Sequence, residues 1–166
     1  MLNTETLEKE IRIGFTLENA VQLAEAAHEG QLDRGGQPYI NHPRAVMERL
    51  RGDYSKMAGI LHDAVEDTDI TIEDLIKLGV PVEVIEAIKL LTHPKDFKNT
   101  KEEYFKNINN IASSGNQISI DVKFSDLSEN SNIKRIPNPK ERDFDRVRKY
   151  KEAQDILRPK VSEYLK

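Results

Sequence analysis

The amino-acid sequence predicts an all-α fold, a compact single-domain helical bundle over residues 1–166. Three observations carry this expectation. Apolar residues recur at helical spacing in most segments, strand-type alternation is nearly absent, and glycines or prolines fall between the helical stretches. A chain of this length also suffices to bury a substantial core.

Leu7, Ile11 and Phe15 are spaced for a helical turn or two that docks on the body, and Leu17, Val21, Ala24 and Ala27 for a helix ending at Gly30. Gln31 to Pro43 holds paired glycines and two prolines, which predicts a loop of defined course. Asn41 is expected to cap the next helix, with Pro43 in its first turn and Leu50 near its end. After Gly52-Asp53, a central helix is expected through Lys56–Asp67. On a wheel of about 100° per residue, Met57, Ala58, Leu61, Ala64 and Val65 gather on one arc. His62, Asp63, Glu66 and Asp67 gather opposite.

Thr71-Ile72-Glu73-Asp74 resembles a capping box for a short helix stopped by Gly79. Pro81 begins another helix, with Val82, Ile85, Ile88 and Leu91 on one face, broken at Thr92-His93-Pro94. Helices follow over about Lys101–Ala112, Gln117–Asn130 and Phe144–Leu157. The charged, proline-containing stretch Asn132–Asp143 reads as an exposed loop.

The charge of −4 lacks the basic field that nucleic-acid polymers or membrane surfaces call for. Zero cysteines exclude disulfides and thiolate chemistry and fit a reducing compartment. No apolar run approaches the 18 or so residues of a membrane span, so a cytoplasmic location is expected. A homo-oligomer is compatible with these features.

Asp126 stands out because apolar positions flank it on both sides of its helix. A buried carboxylate needs a cation. Lys123, three residues earlier on the same polar stripe, is one candidate; a metal ion is the other. The acidic arc around Asp63 likewise reads either as a solvated face or as part of a site. His42, His62, Asp63 and Asp126 together make a two-imidazole, two-carboxylate set suited to Mn²⁺, Fe²⁺ or Zn²⁺. His28 is expected to hydrogen-bond within the fold near Gly35-Gly36, and His93 to end a helix.

Five segments carry a family resemblance: Ala27-His28-Glu29-Gly30-Gln31, Gly36-Gln37-Pro38-Tyr39-Ile40-Asn41-His42-Pro43, Leu61-His62-Asp63-Ala64-Val65-Glu66-Asp67-Thr68, Leu91-Thr92 and Val122-Lys123-Phe124-Ser125-Asp126. In this order they resemble the HD-domain phosphohydrolases. More narrowly they resemble the guanosine tetraphosphate (alarmone, ppGpp) hydrolases, both stand-alone and within bifunctional stringent-response enzymes. The resemblance implies an HD-type helical fold and one divalent metal, Mn²⁺ first, held by His42, His62, Asp63 and Asp126. It implies Glu66 and Asp67 as the carboxylates serving the attacking water. It places Arg34, Lys123 and Asn130 near a small phosphorylated nucleotide, and Arg146 with Tyr150 echoes a late basic-aromatic motif. Glu66 and Asp67 lie one turn beyond His62 and Asp63, which agrees with those roles.

The expected reaction is removal of the 3′-diphosphate of guanosine tetraphosphate or of a related nucleotide. Asp33 and Leu127 stand where the family carries basic residues, and Glu129 adds an acid; these departures favour a less charged phosphoester. The alternative is a nucleotide- or protein-binding module that keeps the metal site without turnover.

Overall fold

The computed structural model describes residues 14–166. The turns expected around Leu7 and Ile11 lie outside the described residues. Nine α-helices are present among the described residues: α1 Leu17–Ala27, α2 Asn41–Glu48, α3 Asp53–Leu61, α4 Ala64–Asp67, α5 Ile72–Lys77, α6 Val82–Leu91, α7 Lys101–Ser113, α8 Gln117–Asn130 and α9 Glu141–Leu157. The one β-type pairing among them is an isolated bridge between Leu32 and Pro38. The fold is all-α.

Helix α8 is the axis. It packs against α2, α3, α6 and α9. Ile120, Val122, Phe124 and Leu127 supply its apolar contacts. Its buried polar groups are satisfied, as burial requires. Ser125 Oγ donates to the Val46 carbonyl at 2.9 Å, and Asp121 accepts from the Ser162 N–H at 2.9 Å. Glu129, the unexpected acid, is neutralised by Arg49 at 2.5 Å. Around α8, Val46, Leu50, Ile60, Leu61, Ile88, Ile108 and Leu157 form one continuous core.

Local signals hold where they depend on neighbours in the chain. Thr71 accepts from the Asp74 N–H while Asp74 accepts from the Thr71 N–H, completing the expected capping box. Three expectations need correction. Asn41 does not cap α2: Ile40 occupies that position with helical dihedrals, because the chain enters α2 through a preceding turn in which His42 N–H meets the Tyr39 carbonyl. Val82 is 63% exposed, and the buried face of α6 is Val84, Ile85, Ala87, Ile88 and Leu91. The central helix is not continuous. It stops at Leu61 and resumes at Ala64, with His62 and Asp63 in the break. His62 Nδ1 lies 2.6 Å from the Gly59 carbonyl, the acceptor that an unbroken helix offers to the Asp63 N–H.

Gly59 lets α3 approach α2 closely. A Cβ there would meet Leu50 Cδ1 at 2.6 Å and Met47 Cα at 3.3 Å.

Candidate metal and phosphate site

The break in the central helix turns His62 inward. Its imidazole is 5% exposed rather than solvated, because α8 covers that side. The Gly59 carbonyl can only accept, so Nδ1 carries the proton. In the neutral ring that a metal ligand requires, Nε2 is the free lone pair. It is buried with no hydrogen-bond partner among the described residues, yet lies 3.0 Å from Asp63 Oδ2 and 3.5 Å from Asp126 Oδ1.

His42, buried on the first turn of α2, sets its Nε2 2.9 Å from Asp126 Oδ1 and 3.9 Å from Asp63 Oδ2. Ligand atoms of His42, His62 and Asp63 all fall within 4.8 Å of one another. The structure therefore brings the four expected ligands together from α2, the α3–α4 break and α8. An orphaned, buried imidazole nitrogen facing two carboxylates fits a divalent cation, and these residues could hold one.

Asp126 is also held from the other side. Lys123 Nζ lies 3.0 Å from Oδ2, and Asn130 Nδ2 donates to Oδ1 at 3.0 Å. Of the two candidates for its counter-charge, Lys123 is thus in place, and the histidine set could hold the other, a metal ion. Burial opposes its ionisation, but Lys123 and the two imidazoles hold Asp126 well below the usual carboxylate range. Burial likewise works against charging His62, and Asp63 with Asp126 outweighs it, raising that imidazole. Asp63 falls to about 2, burial again being overcome by His62.

A cavity of about 520 Å³ opens beside these groups. Nine of the eleven expected site residues line it: His42, Asp63, Asp126, Glu66, Arg34, Lys123, Asn130, Arg146 and Tyr150. His62, which is buried, and Asp67, whose side chain is partly open to solvent, are not among the lining residues. Burial together with the charges of Asp63 and Glu66 raises the Asp67 carboxyl to about 6. Glu66 is lowered: burial pushes it up, but hydrogen bonds from His93 outweigh that.

Several contributors escaped the sequence reading. The Tyr39 hydroxyl donates to Asp63 Oδ2 and so orients it. Tyr39 belongs to the motif segment Gly36-Gln37-Pro38-Tyr39-Ile40-Asn41-His42-Pro43, the one signal that could have pointed to it. His93 touches Glu66, and Phe97 stacks on His93 at 4.0 Å. Arg135 and Lys149 also line the cavity. His28 bonds Gln31, which in turn donates to the Asp67 carbonyl, so its bonding is within the fold, as expected.

The sequence departures have local explanations. Asp33 accepts from the N–H groups of Gly35 and Gln37 at 2.8 and 2.9 Å, so its carboxylate organises the loop that presents Arg34. Leu127 is wholly buried. Gly35 meets the turn Ile133–Arg135 so closely that a Cβ would lie 2.8 Å from the Arg135 carbonyl oxygen.

No family model matches the chain. Over 97 residues it is 40% identical to the bifunctional (p)ppGpp synthase/hydrolase SpoT of Escherichia coli, covering 55% of this chain and 14% of that protein. Over 63 residues it is 48% identical to a GTP pyrophosphokinase of Streptomyces coelicolor, covering 36% of this chain and 7% of that one. The chain therefore spans only a small part of the curated relatives it matches. A solved structure of a metazoan SpoT orthologue, described as hydrolysing ppGpp, superposes with a TM-score of 0.77 and 27% identity. That match covers 90% of this chain and 88% of the other. Sequence similarity and shared fold together bear out the resemblance carried by the motifs: the chain is similar in sequence to part of the (p)ppGpp synthase/hydrolases and in fold to the SpoT orthologue.

Proposed function

We propose that the protein is a metal-dependent phosphohydrolase that removes the 3′-diphosphate of guanosine tetraphosphate or a related phosphorylated nucleotide. The observation that carries this reading is the convergence of His42, His62, Asp63 and Asp126 at the head of a cavity with a basic wall. The ion they would hold, Mn²⁺ in this reading with Fe²⁺ or Zn²⁺ as alternatives, supplies Lewis-acid activation of water and charge neutralisation at phosphate. Glu66 and Asp67 accept the proton of the attacking water at their carboxylate oxygens. Arg34 and Arg146 hold phosphate oxygens, and Lys123 and Asn130 keep Asp126 in place. Tyr39 keeps the Asp63 carboxylate turned toward the histidines. The water forms the new bond to phosphorus, the bond from phosphorus to the ribose 3′-oxygen breaks, and the carboxylate returns the proton to that oxygen, so that pyrophosphate and a nucleotide with a free 3′-hydroxyl are the products.

One observation favours the rival reading, a binding module without turnover: Glu66 is hydrogen-bonded to His93 rather than free. A nucleotide panel with added Mn²⁺, including guanosine tetraphosphate, separates the two. The hydrolase reading expects about one divalent ion per chain and pyrophosphate release that Glu66→Gln with Asp67→Asn abolishes without loss of metal. Nucleotide binding with no cleavage across the panel would leave the binding module as the function.

A further inference from the structure

The basic wall of the cavity contains two kinds of cation. Lys123 is committed to Asp126 at 3.0 Å, and Arg146 faces Asp143 at 3.5 Å. Lys149 is different. Among the described residues it forms no ion pair with a carboxylate, and its Nζ stands 4.3 Å from the Tyr104 ring centre and 5.7 Å from that of Tyr150. It is half-buried, on the cavity wall. Burial and the positive charge of Lys123 both depress its ammonium group.

Arg135, on the turn Ile133–Arg135, is partly spent. Its Nη1 lies 3.7 Å from Glu129 Oε1, whose other oxygen pairs with Arg49 at 2.5 Å, while its Nε is buried with no hydrogen-bond partner among the described residues. Arg34, Arg135 and Tyr150 line the same cavity as Lys149. Cations that line one cavity with polar groups unspent create a positive field that favours an incoming anion. The aromatic rings of Tyr104 and Tyr150 fix the lysine stem without neutralising it.

We infer that Lys149 is the specificity-determining cation of the cavity. With Arg135, which lines the same cavity, it binds the diphosphate oxygens of the substrate in place of the basic side chains missing at Asp33 and Leu127. The inference rests on the hydrolase reading for the identity of the anion, but not for where the anion binds. It restores to the pocket the charge that the sequence departures removed, from a different helix.

The test is titration of inorganic pyrophosphate into the Mn²⁺-loaded full chain, followed by calorimetry. Lys149→Met should weaken pyrophosphate binding about tenfold or more, the effect of losing one charge-assisted contact. Lys149→Arg should stay within about threefold of the parent, because it keeps the charge. Lys151→Met, on an exposed neighbour, should leave affinity unchanged. Manganese content and helicity should be equal in all four proteins. Undiminished binding by Lys149→Met, equal loss in Lys151→Met, or no pyrophosphate binding by the parent would each overturn the inference. If the parent cleaves no nucleotide yet Lys149→Met loses pyrophosphate, the hydrolase reading falls and this one stands. If cleavage proceeds with an unchanged KM in Lys149→Met, the reverse holds.

Discussion

The carboxylate of Glu66 accepts the backbone N–H of His93 at 2.6 Å, and His93 Nδ1 lies 3.1 Å from the same oxygen. A residue expected only to end a helix thus fixes one of the two carboxylates proposed to serve the water. In His93→Ala the backbone donor survives while the imidazole and its stack on Phe97 are lost. Turnover should therefore fall by up to about tenfold with KM nearly constant, whereas Glu66→Gln should cost about a hundredfold or more. Steady-state kinetics of the two variants decide it; a His93→Ala enzyme as fast as the parent would show that this anchor does not matter.

Tyr39→Phe removes one hydroxyl, the donor to Asp63. Partners of metal ligands commonly contribute ten- to a hundredfold to affinity, so Mn²⁺ binding should weaken by about tenfold. Mn²⁺ in hundredfold excess over its dissociation constant should stabilise the parent by about 2.7 kcal/mol, a gain that His62→Ala abolishes. Thermal unfolding with and without metal measures both effects. A parent protein whose unfolding ignores Mn²⁺ would sink the metal site.

Asp67 makes a prediction about pH. Its folded carboxyl titrates at about 6, above the ordinary 3.8, so ionising it opposes folding. This penalty is absent below about pH 4, grows between pH 4 and 6, and is complete above pH 6. In metal-free protein, Asp67→Asn should therefore raise stability at pH 7.5 by about 1 kcal/mol, the shift being discounted for the exposure of the group. At pH 4 the two proteins should unfold alike. Urea titrations at both pH values test the sign, and a destabilised variant at pH 7.5 would contradict it.

Gly59→Ala should destabilise the fold. The added methyl has to displace Leu50, itself buried, and approaches the Met47 backbone. Overpacking of about 1–3 kcal/mol outweighs the gain of about 1 kcal/mol in helix propensity. A lower urea midpoint is expected, and an unchanged one would mean that α2 and α3 can part freely.

The helices and their order were legible because apolar spacing reports burial directly, as in Ile85, Ile88 and Leu91. Asp126 could be singled out because a carboxylate between apolar flanks has few explanations. The break at His62-Asp63 was not legible, since a helical wheel presumes continuity and cannot show an imidazole competing for the Gly59 carbonyl. Nor does spacing reveal that Glu66 meets a loop 27 residues away. Lys149 was hidden in a run of charges that reads as a solvated face, and only the packing of α9 beside α7 and α8 turns it to the cavity.

Where Gly35 abuts the Arg135 carbonyl, two distant stretches of main chain touch with no side chain between them to yield. Nothing there can swing aside as a rotamer would. Both residues line the cavity, so the spacing of its two loops is pinned by backbone rather than by any adaptable side chain.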